Sequence, residues 1–92
     1  MEPVLKKEHA SEVPSYEGRL GDLVEFIVGK LRYDKGVEFH ALLARRYEEE
    51  AQKEAARGRE KLTKALHGVA ESEKSTTTLL QKVWDICEPY TK

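Results

Sequence analysis

From Leu62 to Cys87 the chain reads LTKALHGVAESEKSTTTLLQKVWDIC. Within it, Leu62, Leu66, Val69, Glu73, Thr76, Leu80, Val83 and Cys87 recur at alternating intervals of four and three residues. This is the spacing of a helix packed lengthwise on another helix, because a mean step of 3.5 residues returns each side chain to one seam. Two adjacent seam positions, Glu73 and Thr76, are polar. A polar pair in mid-seam sets register or partner choice at some loss of stability.

The stretch before this seam predicts its packing partner. Gly58 follows Arg57 where a glycine just past the last helical turn ends a helix. Upstream of it, Val37, Phe39, His40, Leu42, Leu43 and Tyr47 offer a broad apolar face, and Ala51, Ala55 and Ala56 offer small residues that let two backbones approach. Tyr33-Asp34-Lys35-Gly36 reads as a break, with Asp34 capping a second helix that runs to about Arg57. The rival is one helix from Asp34 to Ile86, about 80 Å long. The first half's apolar pattern does not continue in phase into the second half, so a hairpin turning at Gly58 is the expected form. Pro89 stops the last helix soon after Cys87.

Further upstream, Leu20, Leu23, Val24, Ile27, Val28 and Leu31 make one helical stripe, with Ser15 as the expected N-cap and a start near Tyr16. Gly18, Gly21 and Gly29 weaken this helix. Residues 1–15, with Pro3 and Pro14, read as an extended arm, and 16–92 as a single helical domain. The expected fold is all-α: a short N-terminal helix packed on a long antiparallel helical hairpin that completes a helical bundle by oligomerisation.

Composition narrows the function classes. The chain has 92 residues, a formal net charge of −1 and 36% charged residues of both signs. So even a balance creates no global field toward nucleic acid or an anionic membrane. One cysteine, Cys87, rules out a disulfide within the chain. No apolar run is long enough to span a bilayer, which gives a cytoplasmic expectation. Asn is absent and Gln occurs only at Gln52 and Gln81, the amide-poor, charge-rich usage of a thermophile. Because a two-helix hairpin buries one face of each helix, the expected partner is a second copy or a larger protein. Leu23, Phe26, Ile27, Leu80 and Trp84 are the expected interface.

The chemistry-bearing residues are few. A turn near Gly58 brings His40 opposite Thr76, Leu43 opposite Glu73 and Tyr47 opposite Val69, so His40, Tyr47 and Glu73 are expected to meet. Glu38, His40, Glu71 and Glu73 are the metal-ligand candidates. Arg57, Arg59, Lys61 and Lys64, preceded by Arg45 and Arg46, form a basic tip that is the candidate nucleic-acid contact. Glu54 and Glu60 dilute it, and no aromatic residue lies among the tip cations to stack a base. Neither a glycine-rich phosphate loop nor a His-Glu-x-x-His motif occurs.

Glu38 and Tyr47 on one helix, then a turn and Glu71 or Glu73 on the next, resemble a half-bundle of the ferritin-like and rubrerythrin-like family over residues 36–83. The resemblance implies a metal-carboxylate protein in which two half-bundles build a di-iron site with a Glu-x-x-His on the second helix. At that spacing Glu71 is followed by Lys74 and Glu73 by Thr76, neither a histidine. The residues themselves point to a protein that is not an enzyme and carries no cofactor. They describe a helical interaction module, a small assembly subunit or accessory factor of a larger complex.

Overall fold

The computed structural model describes residues 17–90. They form α1 (Leu20–Gly29), α2 (Tyr33–Ala56) and α3 (Glu60–Cys87), closed by a single 3-10 turn at Glu88–Tyr90, with no strand among the described residues. The chain divides between Leu31 and Arg32 into two compact units.

In the first unit, α1 begins at Leu20. The expected cap and start, Ser15 and Tyr16, lie outside the described residues. Among those described, Glu17 to Arg19 are not helical, and Arg19 is extended at φ −80 and ψ 157. Asp22 sets the boundary: its carboxylate accepts the Arg19 backbone N–H at 3.2 Å. The C-terminal end closes where the N–H groups of Lys30 and Leu31 both reach the Phe26 carbonyl, at 2.9 and 2.8 Å. No α1 residue is buried within the chain.

The second unit is the antiparallel hairpin, with α2 packed on α3 and the turn at Arg57–Arg59. Gly58 takes φ +75, the left-handed conformation that L side chains resist. Around it the Gly58 N–H reaches the Ala55 carbonyl at 3.0 Å and the Arg59 N–H reaches the Glu54 carbonyl at 3.0 Å. This pair of bonds is the Schellman closure, which satisfies carbonyls the helix end would otherwise orphan. Gly58→Ala should therefore destabilise the hairpin by about 1–2 kcal/mol. A Cβ there would meet nothing within 4 Å, so the loss is one of backbone strain alone. A lowered urea midpoint at unchanged m-value is the expected reading, and an unchanged midpoint would contradict it.

The expected break at Tyr33–Gly36 is not one. These residues are the first turn of α2, and Gly36 is buried inside it. The chain breaks earlier, at Lys30–Arg32. Asp34 does not cap α2; its carboxylate takes Arg32 in a two-pronged pair, Nε to Oδ1 at 2.6 Å and the terminal guanidinium nitrogen to Oδ2 at 2.8 Å. The Arg32 hydrogen bond holds the Asp34 carboxyl below its ordinary range. The same guanidinium lies 5.7 Å from the Trp84 ring centroid, tying the start of α2 to the end of α3.

Alanine makes the core. Ala44, Ala51 and Ala70 are buried at 4%, 0% and 0% exposure, and no large side chain among the described residues is fully buried. Small residues bring the two backbones close, with Tyr47, Leu66 and Leu80 half-buried in the same contact. Of the three alanines expected to allow that approach, only Ala51 lies inside; Ala55 and Ala56 are exposed. Leu42, expected on the apolar face, is 47% exposed.

Candidate partner-binding site

Two seams, not one, run along α3. Thr63, Leu66, Ala70, Glu73, Thr77, Leu80, Trp84 and Cys87, at intervals of three and four, are all buried or half-buried in the hairpin. Shifted by one residue, Leu62, Ala65, Val69, Ser72, Thr76, Leu79, Val83 and Ile86 repeat the same intervals. One residue is a rotation of about 100°, the angle between two neighbours of a helix in a four-helix bundle. The single seam read from the sequence straddled these two. Val69, expected in the core, is 39% exposed, and Ala70 takes the core place.

The second seam carries no charge and is more exposed: Ala65, Val69, Ser72, Leu79 and Ile86 are exposed, and Leu62, Thr76 and Val83 half-buried. Val69, Leu79 and Ile86 are 39%, 60% and 71% exposed. All eight of its residues are uncharged, in a chain that is 36% charged. Its polar members are blunted: the Thr76 hydroxyl donates to the Ser72 carbonyl at 3.1 Å, leaving the threonine methyl for a partner. Thr77 and Thr78 likewise donate to the carbonyls of Glu73 and Lys74, at 2.9 and 3.2 Å, which settles three β-branched residues into one helical run.

The same shift divides α2. Val37, His40, Ala44, Tyr47, Ala51 and Glu54 face α3 and are all buried or half-buried. One residue earlier stand Gly36, Phe39, Leu43, Arg46, Glu50 and Lys53. Matching flanks of antiparallel helices lie on one side, so this row continues the α3 flank. Its first half is uncharged and its second half is an ion-paired chain. Arg46 bonds Glu50 at 2.9 Å and Lys53 reaches it at 3.5 Å. The Arg46 hydrogen bond holds the Glu50 carboxyl below its ordinary range, so the pairing is intact at neutral pH and is lost on acidification.

The opposite flank is polar. There His67 Nδ1 lies 3.0 Å from the Glu48 carboxylate across the helices. A shallow groove between Ala41, Ala44 and Thr77 is rimmed by Arg45, Glu48 and Lys74. The hairpin thus has two unlike sides: one uncharged along α3 and the first half of α2, the other polar along both helices.

Within the α2–α3 interface, His40 and Glu73 meet as expected, with Nδ1 and Oε2 2.6 Å apart. An ionised carboxylate only accepts, so Nδ1 carries the hydrogen of this bond. Glu73 lies one turn short of the expected opposite, Thr76, and none of the hydrogen bonds among the described residues joins Tyr47 to the pair. The other metal candidates are elsewhere: Glu38 pairs with Lys35 at 3.3 Å and Glu71 with Lys74 at 3.2 Å, all exposed. No three His, Cys, Asp or Glu side chains among the described residues are grouped to hold an ion.

At the turn, Arg57 and Arg59 are engaged by one carboxylate. Glu54, 5% exposed, takes Arg57 on Oε1 and Arg59 on Oε2, each at 2.9 Å. Lys64 is exposed. Of the expected interface residues, Phe26 is 51% exposed on α1, whereas Leu23, Ile27, Leu80 and Trp84 are half-buried. No helix among the described residues is long and apolar enough to cross a membrane. No family model matches the chain, and no curated protein or solved structure matches it either.

Proposed function

We propose that this chain is a non-catalytic helical interaction module, a small assembly subunit or accessory factor that works through an apolar helix face. The uncharged second seam of α3 carries this reading. A seam of eight residues between Leu62 and Ile86 with no charged side chain, five of them exposed, is unusual on a helix flank, and apolar surface of this kind marks a binding face. The groups with chemical potential are occupied structurally: His40 with Glu73, His67 with Glu48, and Glu54 with two arginines. The ferritin-like alternative has no convergent ligand set among the described residues, and the nucleic-acid alternative loses Arg57 and Arg59 to Glu54.

Native mass spectrometry at micromolar concentration, with binding of an apolar-surface dye, tests the reading. The expected result is a stable oligomer, or a monomer whose dye binding falls when Leu79 is replaced by glutamate. A stable, folded monomer that binds no dye would overturn it.

A further inference from the structure

We infer that the apolar flank is occupied by a second copy of this chain, with α3 packed antiparallel on its symmetry mate about a two-fold axis beside Ser72–Thr76. The inference rests on the interaction-module reading and names its partner.

Self-pairing is written in the order of the seam. Leu62, Ala65 and Val69 are apolar, Ser72 and Thr76 are hydroxylic, and Leu79, Val83 and Ile86 are apolar again. This pattern is a palindrome. In a two-fold interface, residue i meets j and j meets i, so only a palindromic seam matches itself when reversed. Leu62 then faces the partner's Ile86, Ala65 the partner's Val83, and Val69 the partner's Leu79. At the axis Ser72 meets the partner's Thr76. Every apolar residue finds an apolar one, Ala65 sits against a branched valine, and the two short hydroxylic residues meet each other.

Helix α2 supplies an independent check. The axis crosses the hairpin beside His40, because His40 and Glu73 mark the same height on the two helices. Antiparallel to its own copy, α2 is then covered only as far as its mate extends. The mate begins at Tyr33, so cover ends at about Tyr47. Phe39 and Leu43, half-buried within one copy, and Gly36, already buried there, make the uncharged half of the α2 flank and fall within this overlap. Glu50 and Lys53, the far end of the charged half, fall beyond it and keep their water, while Arg46 stands at the edge. The competing two-fold, parallel to the helices, would lay α3 on the partner's α2. It would press Leu62 and Ala65 onto Glu50, Lys53 and Arg46, burying charges against an uncharged seam.

The area is adequate for a reversible dimer. The α3 seam is about 37 Å long, the α2 overlap about 21 Å, and each helix covers a strip about 10 Å wide, roughly 600 Å² per copy. The total of about 1,200 Å² stands at the lower edge of specific interfaces, which places dissociation in the micromolar range.

Sedimentation across about 1–100 μM, together with spin-label distances, tests the pairing. The wild-type chain should be a monomer–dimer equilibrium. Val69→Glu and Leu79→Glu should each raise the dissociation constant about 100-fold, since each sets a carboxylate in the apolar seam. Both sites are exposed in the hairpin, so helicity by circular dichroism should be unchanged; Glu71→Lys on the polar flank should leave the dimer intact. In a Cys87→Ala background shown to associate like the wild type, labels at Ser75 should sit within about 25 Å of each other. Labels at Lys64, ten residues from the axis in each copy, should be more than about 30 Å apart. Two equal distances would overturn the antiparallel α3 pairing, as would a dimer indifferent to both glutamates. A folded monomer at 100 μM would overturn the second copy as occupant. If that monomer binds an apolar dye on the flank, the interaction-module reading stands; if it does not, that reading fails as well.

Discussion

Ala51→Leu should cost the hairpin about 2–3 kcal/mol, while Ala55→Leu, four residues further along the same helix, should change stability by less than about 0.5 kcal/mol. The two substitutions add the same atoms to residues of equal helix propensity, so the contrast isolates packing. Ala51 has no exposed surface, and Ala55 faces solvent. A leucine at Ala51 needs room that close backbones do not leave. The helices cannot open a hinge there, because the Schellman turn at Gly58 and the Glu54 clamp on Arg57 and Arg59 pin them a few residues away. Urea denaturation of both variants checks the expectation. Equal midpoints would show that the alanines are not the point of closest approach. A more stable Ala51→Leu would show that the core has unfilled space.

This contrast also explains which parts of the fold were legible in the sequence. The hairpin was, because Gly58 occupies the one position where a left-handed residue closes a helix, and the seam on either side changes phase there. The pairing of His40 with Glu73 followed from that turn, since antiparallel helices fix which residues share a height. The register was off by up to one helical turn. The three-residue link at Arg57–Arg59 sets the offset, and its geometry cannot be read from spacing.

The orientation of α3 about its own axis was less legible, for a physical reason. Its two seams differ by one residue and have identical spacing, so periodicity cannot tell them apart. Apolar bulk then misleads. The seam facing α2 mixes Thr63, Ala70, Glu73 and Thr77 with Leu66, Leu80 and Trp84, while the outward seam holds Leu62, Val69, Leu79, Val83 and Ile86 beside Ala65, Ser72 and Thr76. The most deeply buried positions of the intramolecular contact are alanines, so bulk does not mark the inner seam. An alanine at 0% exposure beside a valine at 39% is the visible result. Testing the seam displaced by one residue for charge would have found the flank, since it is free of charge along its whole length. The start of α2 was misplaced because Asp34 and Gly36 look like cap and breaker. Instead Arg32 engages the aspartate, and the glycine lies in the first helical turn.

Replacing His40 and Glu73 together by leucine should stabilise the hairpin by about 1–3 kcal/mol, whereas either substitution alone should lower its stability or leave it nearly unchanged. Both side chains sit in the α2–α3 seam, with 23% and 20% of the side chain exposed, and their contact is a single short bond of 2.6 Å. Removing one partner leaves the other half-buried without its bond, a penalty of about 1–3 kcal/mol that the added apolar contact only partly offsets. Removing both exchanges two desolvated polar groups for the residue type that Leu66 and Leu80 already contribute one heptad to either side of Glu73. The pair would then serve specificity, fixing which residues stand opposite each other, as a single polar contact does in a coiled coil. A double-mutant cycle by denaturant midpoint measures the coupling, and a spin-label pair at Gln52 and Lys64 follows the register. Higher stability with a broadened distance distribution is the expected outcome for the double variant. A double variant less stable than both single ones would show that the pair contributes stability outright, and that a histidine and a glutamate are the better residues for this seam.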